Sequence, residues 1–205
     1  MIVRDHWWWR PGWRPGRRMY TWHVTFDRYP AVPELAAGAQ ARLAGLPGLD
    51  LVPARWLHLT TQGIGFTDEV TETDIERIVE ASRDRLQAVA PPKATVGPAR
   101  TASEGIAFDV EPAEPLAAVR NELRAAIGEV WGAERVPESD GFTPHVSLAY
   151  SNATGPGDAY DAALAGEDGT AGLLLEAVQL IVLGRDQRMY EWTARADVRL
   201  GTMGP

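Results

Sequence analysis

The chain has 205 residues, of which 45% are hydrophobic and 23% are charged, and these proportions are ordinary for a folded globular protein. It contains no cysteine, which excludes a disulfide scaffold, a thiolate nucleophile and a cysteine-ligated metal, and its net charge of −8 argues against a protein that coats long nucleic acid. The sequence has no run of about 18 apolar residues, so it predicts no membrane span. No secretory pattern opens the chain, and we therefore expect a cytoplasmic protein.

The first 18 residues form an arm rich in tryptophan and arginine. Within residues 1–22, five arginines against one acid give a local charge of +4, which leaves −12 for the remainder. A small basic patch on an acidic body suits a short anionic ligand better than a duplex. The arm either stacks on bases and holds phosphates or folds across the domain, with its Arg-Pro-Gly turns following the surface. The packed arm is favoured, because exposed tryptophans promote aggregation.

Residues 19–205 are predicted to form one domain in which strands and helices repeat in the same order. The predicted strands are 19–26, 54–66, 104–112, 141–151, 173–184 and 187–200. The predicted helices are 33–46, a segment that follows the Thr71–Asp74 capping box and carries an apolar stripe from Ile75 to Val89, 114–132 and 158–165. The turn-rich stretch 90–98 is the expected boundary between two lobes.

This order predicts an α+β (mixed α/β) fold. We expect a bilobal domain made of two duplicated strand–helix–strand units related by a pseudo-two-fold axis. Mostly antiparallel sheets would face a central groove, with the helices outside.

Three of the four histidines open the same short pattern, His-x-Ser/Thr: His23, His58 and His145. His58 follows Phe26, at the end of the first predicted strand, by 32 residues, and His145 follows Val110, near the end of the corresponding strand, by 35. These two histidines therefore occupy equivalent places in the two halves. His23 lies on a first strand, and its counterpart region near Ile106 and Ala107 has no histidine.

The paired pattern indicates acid–base chemistry at phosphorus. Because alternate side chains of a strand share a face, His58 lies beside Thr60 and His145 beside Ser147. If the two strands face each other, one imidazole can accept a proton while the other donates one. The two hydroxyls can donate hydrogen bonds to the phosphoryl oxygens. Two core histidines that merely bond to neighbouring hydroxyls are the structural alternative.

The segments LHLTTQGIGF and TPHVSLAY resemble the signature strands of the two-histidine (2H) phosphoesterase superfamily, and most closely its 2′–5′ RNA ligase and cyclic phosphodiesterase branch, the LigT-like branch. The resemblance extends from MYTWHVTF to VRLG. It implies a bilobal α/β fold in which His58 and His145 are catalytic while Thr60 and Ser147 contact phosphate. It also implies reactions on 2′,3′-cyclic phosphates, nucleotide cyclic phosphates or 2′–5′ linkages without a metal or cofactor. The tryptophan-rich arm is not part of the general pattern.

Four further residues are candidates for substrate binding. His23 either lines the groove or is a buried ring bonded to Thr25 or to a carbonyl. Gln62 is expected to continue the His58–Thr60 face, although a glutamine at a strand end is usually solvated. Arg185 and Tyr190 are expected where the related family closes one side of its groove, where a guanidinium neutralises phosphate and a tyrosine stacks on a base. A plain hairpin turn is the alternative for Arg185.

The sequence thus predicts a monomeric, metal-independent phosphoesterase. Its expected substrate is an RNA terminus or small nucleotide with a 2′,3′-cyclic phosphate or a 2′–5′ phosphodiester, and no membrane partner is expected. The first alternative is a non-catalytic protein that binds RNA ends or nucleotides in the same groove. The second is a metallohydrolase, which chelation would inactivate.

Overall fold

A computed structural model of the protein describes residues 1–137 and 141–201. Its strands are β1 Ile2–Val3, β2 Met19–Thr25, β3 Leu49–Leu51, β4 His58–Phe66, β5 Lys93–Ala102, β6 Gly105–Glu111, β7 His145–Ser151, β8 Gly155–Pro156, β9 Ala171–Leu174, β10 Ala177–Gly184 and β11 Glu191–Arg199. Its α-helices are α1 Ala31–Leu43, α2 Glu72–Leu86, α3 Ala113–Trp131 and α4 Asp158–Leu164, and short 3₁₀ turns cover Ala54–Trp56 and Ala133–Arg135.

The strands form two main antiparallel sheets. One has the order β11-β10-β2-β4, the other has the order β3-β7-β6-β5-β9, and β1 pairs with β8 as a small third sheet. In each large sheet the motif strand pairs directly with an earlier strand from the same half of the chain, β4 with β2 and β7 with β6. The two motif strands β4 and β7 lie next to each other where the sheets meet. The predicted α+β fold of two related antiparallel units is therefore confirmed.

The helices cover the sheets on the outside and link the two halves. Helix α2 packs on β11 and on α3, while α3 also contacts β4, so a helix from the second half covers the first sheet. Helix α1 contacts β7 and β9, together with α4, so a helix from the first half covers the second sheet. Within the described residues, none of the helices has both the length and the apolar character needed to cross a membrane.

Local sequence signals explain two of the helices. The hydroxyl of Thr71 accepts a hydrogen bond of 3.1 Å from the Asp74 backbone N–H, which begins α2 as the capping pattern predicted. The stripe of α2 buries Ile75 and Ile78. On α3 the buried residues recur at intervals of three and four: Leu116, Val119, Leu123, Ala126 and Ile127.

Each motif strand contains an irregularity of register at the same place. His23 pairs with Thr60 but Trp22 pairs with Gln62, so Thr61 is an extra residue in β4. In the other sheet Ala107 pairs with Ser147 but Ile106 pairs with Ala149, so Leu148 is an extra residue in β7. An inserted residue reverses the face on which all later side chains of the strand lie. The duplication therefore extends to a bulge immediately after each motif hydroxyl.

Two predicted segments were wrong in detail. The stretch 90–98 is not wholly a connection, because Lys93 begins β5 and the Gly97–Pro98 pair lies inside that strand, where its register with β6 shifts. Glycine and proline mark such irregular places within strands as well as turns. The single strand predicted at 173–184 is two strands, of which β9 belongs to the five-stranded sheet and β10 to the four-stranded sheet.

Candidate active site

The two motif histidines begin β4 and β7, two strands that contact each other, and both rings are held in the same way. His58 Nδ1 lies 2.8 Å from the carbonyl oxygen of Trp56, and His145 Nδ1 lies 3.0 Å from the carbonyl oxygen of Thr143. In each case the acceptor belongs to the residue two positions earlier. A carbonyl oxygen can only accept, so each Nδ1 carries the proton and donates it. Both Nε2 atoms are thereby left to exchange protons with a ligand.

His58 is buried among aromatic rings. Its ring stacks on that of His23 with centroids 4.3 Å apart and planes 4° apart, and Trp192 meets it edge-on at 5.1 Å. Burial lowers the pKa of His58 to about 4, against the partial compensation of its bond to the Trp56 carbonyl, and a positive charge on His145 lowers this pKa further. The interaction with His145 places the two rings within electrostatic reach of each other, and His58 is neutral at pH 7.

His145 has the opposite environment. Its side chain is exposed at the edge of a cavity of about 430 Å³ between the arm and strands β5 to β7. The residues lining this cavity include His6, Arg10, Arg100, Ser103, Thr143, His145, Ser147 and Tyr150. Arg100 is paired with Asp109, and Arg10 with Glu104. The second motif therefore opens onto a polar, solvent-filled space, whereas the first lies against rings.

The two motif hydroxyls have different supports. Thr60 is exposed, and its Oγ1 lies 3.2 Å from Nε2 of the buried His23. Ser147 and Tyr150 line the same cavity, and burial raises the pKa of Tyr150. Thr60 is thus bonded to a buried ring of the neighbouring strand, whereas the buried ring near Ser147 belongs to the same strand.

The arm forms one wall of this region, and His6 is its buried polar residue. The His6 ring stacks on Tyr150 at 4.4 Å, its Nε2 lies 3.2 Å from the Tyr190 hydroxyl, and its Nδ1 lies 3.0 Å from Glu104 Oε2. Burial, with the positive charge of Arg10 second, lowers the pKa of His6 to about 4 despite Glu104. A neutral ring satisfies both contacts, because Nδ1–H donates to Glu104 while Nε2 accepts from Tyr190. The ion pair of Glu104 is therefore with Arg10.

The remaining arm contacts confirm the packed arm over the base-gripping arm. The arginines at its far end bond to acids of the domain, Arg14 and Arg17 to Asp68 and Arg18 to Asp186. Of the five tryptophans in residues 1–22, the exposed ones are Trp8 and Trp9. The side chain of Trp7 donates to Asp50 at 2.9 Å.

Arg185 is also occupied by the arm. Its guanidinium donates to the carbonyl oxygens of His6 and Trp8, and it is only 5% exposed. The predicted role of Arg185 in neutralising substrate phosphate is wrong in this geometry, because the arm covers it. Tyr190 lies where the groove closes, but its hydroxyl holds His6 and its ring meets His58 edge-on at 6.2 Å.

Two other substrate-binding candidates are placed away from the ligand space. Gln62 pairs with Trp22 after the bulge and bonds to Arg124 of α3 and to the Pro137 carbonyl, so it does not continue the His58–Thr60 face. His23 is 0% exposed and lies behind His58, so it does not line the groove. It is bonded to Thr60 and not to Thr25 or a carbonyl.

The sequence interpretation missed an aromatic pocket beside His58. This cavity, of about 380 Å³, is lined in part by Arg18, Trp56, Glu191 and Trp192. The rings of Trp56 and Trp192 meet at 4.8 Å with planes 65° apart. Trp192 comes from β11, 134 positions after His58, and no local pattern links the two. The pocket combines the faces of two indole rings with several polar and charged side chains, which include Arg18, Asp186 and Glu191.

A metal site would need several donor side chains grouped around one point. In the part of the chain that the structure describes, no three histidine, cysteine, aspartate or glutamate side chains are grouped as metal ligands. The donors nearest the groove have other partners, since both motif Nδ1 atoms bond to carbonyls and Glu104 holds the arm.

Comparison with known proteins identifies one matching family and several solved structures of similar fold. Residues 31–187 match the model of the 2′-5′ RNA ligase superfamily. TT0787 of Thermus thermophilus has a TM-score of 0.69 at 20% identity, covering 91% of this chain and 100% of its own. LigT of E. coli complexed with 3′-AMP has a TM-score of 0.66 at 16% identity, covering 90% of this chain and 98% of its own.

A third solved structure, the MHV ns2 PDE domain, has a TM-score of 0.56 at 13% identity over 82% of this chain and 99% of its own. No curated protein matches the chain by sequence. The family match covers more than half of the chain and includes both motif strands, and the structural neighbours share the fold. The chain belongs to the 2′-5′ RNA ligase superfamily.

Proposed function

We propose that the protein is a metal-independent phosphoesterase that cleaves 2′,3′-cyclic phosphates or 2′–5′ phosphodiesters of RNA termini or nucleotides. His58 and His145 are the catalytic acid–base pair, and Thr60 and Ser147 bind the phosphoryl oxygens. The observation that carries the proposal is the matched Nδ1–carbonyl bond of both rings, which leaves two Nε2 atoms for one ligand.

The environments of the rings assign the direction of proton transfer. Buried His58 enters the reaction neutral and accepts the proton of the attacking water through Nε2. The oxygen of that water forms a bond to phosphorus while the bond from phosphorus to a ribose oxygen breaks. His145, at the solvent-filled side, enters protonated and donates through Nε2 to the departing ribose oxygen, so the product is a phosphomonoester and a ribose hydroxyl. Both hydroxyls donate to the non-bridging oxygens, where negative charge increases.

The two cavities beside the motifs support a nucleotide substrate. The aromatic pocket of Trp56 and Trp192 adjoins His58 and suits a base, since stacking is tolerant of base identity. The polar cavity next to His145 suits ribose and phosphate. LigT of E. coli has been crystallised with ATP and with 3′-AMP, and it shares this fold.

The decisive test is alanine replacement of each motif histidine. His58→Ala and His145→Ala should each lower kcat on nucleoside 2′,3′-cyclic phosphates by roughly 10²- to 10⁴-fold, the usual contribution of a general acid or base. Binding of a 2′-phosphorylated nucleotide should change little by comparison. Arg85→Gln, which alters an ion pair between the outer helices, is the matched control and should retain turnover.

Chelation separates the remaining classes of function. Turnover in excess EDTA should equal turnover without it. Complete loss in EDTA would establish the metallohydrolase instead. If the wild-type protein bound the nucleotides but converted neither cyclic phosphates nor 2′–5′ dinucleotides, it would be a binding protein.

A further inference from the structure

His23 is the motif histidine that the acid–base mechanism does not use. It is 0% exposed, and burial holds its pKa well below the ordinary value, with the charge of His58 acting in the same direction. A permanently neutral ring with no access to solvent cannot take part in proton exchange with substrate. Its contacts nevertheless reach two residues of the proposed machinery, His58 and Thr60.

The hydrogen bonds of His23 distinguish its two neutral forms. Nε2 lies 3.2 Å from Thr60 Oγ1, while Nδ1 is buried and has no hydrogen-bond partner. With the proton on Nδ1, a buried N–H would be left without an acceptor, which folded proteins rarely tolerate. With the proton on Nε2, this N–H donates to Thr60, and an acceptor lone pair, not a buried N–H, is left unpaired. The second form is therefore favoured.

The position of the proton on His23 determines whether Thr60 can donate its hydroxyl hydrogen to a ligand. A hydroxyl has one hydrogen to donate and two lone pairs that accept. If His23 donates to Thr60, the hydroxyl hydrogen stays available for the groove, where Thr60 is exposed. If His23 accepted from Thr60 instead, that hydrogen would point at the buried ring and would be lost to a ligand.

We propose that His23 is a positioning residue that donates from Nε2 to Thr60 and thereby directs the Thr60 hydroxyl hydrogen at the substrate phosphate. The same ring lies flat against His58. The inference rests on the proposed function for the role of Thr60. It goes beyond that function because it gives the third His-x-Thr pattern a task of its own.

The electrostatic surroundings are consistent with a ring that stays neutral. The titratable group that faces His23 is His58 of β4, which is itself neutral at pH 7. From β11 the ring meets Trp192 edge-on at 5.6 Å, and on β10 it is paired with Gln179, neither of which titrates. Within the described residues, no carboxylate contributes to its pKa.

A direct test measures the proton position in the folded wild-type protein. Nitrogen NMR of labelled histidine should show His23 protonated on Nε2 and unprotonated on Nδ1 from pH 8 down to pH 5. Protonation on Nδ1 would overturn the proposal, and so would a doubly protonated ring in that range. The measurement requires no turnover, so its outcome is independent of the proposed function.

Two substitutions at position 23 test the hydrogen-bond donor and the aromatic ring independently. His23→Gln places an amide N–H near the position of Nε2 and should keep kcat/KM within about threefold of the wild type. His23→Phe keeps a flat ring against His58 but has no donor, and should lower kcat/KM by about tenfold, the effect of one misdirected hydrogen bond to a charged group. Equal losses in both variants would contradict the positioning role.

A double-mutant cycle with Thr60 makes the test specific. If His23 acts through the Thr60 hydroxyl, His23→Phe should have no further effect on kcat/KM in a Thr60→Val background. A purely structural role predicts that the two losses multiply. Should His23→Phe fail to fold, the glutamine variant and the proton position still decide the matter.

Discussion

The two motif strands offer the same chemical groups in different surroundings. His58 and His145 each donate from Nδ1 to the carbonyl oxygen two residues earlier, and each strand has a bulge just after its motif hydroxyl. Yet His58 is 9% exposed among rings, whereas His145 is exposed beside a polar cavity. A duplicated fold thus supplies two imidazoles in equivalent positions that differ in burial, and this difference underlies the proposed roles of His58 as base and His145 as acid.

The residue paired with the motif hydroxyl on the neighbouring strand differs between the two lobes. His23 of β2 pairs with Thr60, whereas its counterpart Ala107 of β6 pairs with Ser147. The small side chain of Ala107 lines the polar cavity and leaves the second lobe without a supporting ring on the neighbouring strand. Tyr150, two pairs further along β7, is the buried ring that lines the same cavity as Ser147. The two lobes therefore differ in where the buried ring lies relative to the motif hydroxyl.

The largest expected effect is on the pH dependence of the single-histidine variants. For kcat/KM of the wild type we expect a bell, because His58 must be neutral and His145 charged in the free enzyme. The acid limb should lie near pH 4, as activity falls when His58 becomes protonated. His58→Ala should lose that limb and His145→Ala the alkaline limb, each with a loss of roughly 10²- to 10⁴-fold. Loss of the same limb in both variants would contradict the assignment.

The second prediction concerns stability in acid. The pKa values of His6 and His58 are lowered to about 4, and that of His23 is also lowered. Because these folded-state pKa values lie below the unfolded value of about 6.5, the unfolded chain binds protons first. The stability from neutral histidines is complete above about pH 6.5 and is lost as the pH falls towards 4.

The magnitude of this loss is on the order of 3 kcal/mol for each of His6 and His58, from a shift of between two and three pKa units. Urea unfolding between pH 7 and 4 measures it. His6→Asn should flatten the dependence because that position no longer titrates. If the free energy of unfolding depended equally steeply on pH in His6→Asn and His23→Gln, the neutral histidines would not be the cause.

The third prediction compares the two hydroxyls. Thr60→Val and Ser147→Ala should each lower kcat/KM by roughly 10- to 100-fold, since each removes one donor to the phosphoryl group. The losses should be similar, because the two hydroxyls occupy equivalent places on β4 and β7, each just before a bulge. Steady-state kinetics on one cyclic nucleotide checks this. A loss confined to one of the two variants would show that phosphate is bound by one lobe alone.

These asymmetries mark the limit of what sequence patterns could predict. The helices, most strands and the equivalence of His58 and His145 follow from local periodicity and spacing. The prediction for Gln62 was wrong because it extended the alternation through Thr61, and one inserted residue reverses the face. The sequence of β5 resembles a connection because Gly97 and Pro98 are as typical of a bulge as of a turn.

The surroundings of the site depend on contacts between distant parts of the chain. Trp192 and Tyr190 reach His58 from β11 and the turn before it, and His6 reaches Tyr150 from the arm. Such contacts leave no periodic signal in one sequence. The motifs identify the reacting groups, but burial decides their protonation, and burial is known only once the fold is assembled.

The smallest expected effect compares the two ends of the arm. Near the groove, Glu104 accepts hydrogen bonds from His6, Trp8 and Arg10, and its side chain is 27% exposed. At the far end, Asp68 holds Arg14 and Arg17 with a side chain that is 42% exposed. Glu104→Gln leaves the Arg10 charge without a counter-ion beside buried rings, so we expect a loss of about 1–3 kcal/mol in the free energy of unfolding.

Asp68→Asn is the matched control, because it removes one carboxylate of equal charge from the same arm. Exposed ion pairs contribute little, and we expect a loss of less than about 1 kcal/mol. Thermal unfolding at low and high salt measures both variants, and salt should weaken the contribution of Asp68 more. Because His6 holds Tyr190 and stacks on Tyr150, Glu104→Gln should also raise KM for a cyclic nucleotide, whereas Asp68→Asn should not. Equal effects of the two variants would show that the arm is a uniform strap and not a wall of the active site.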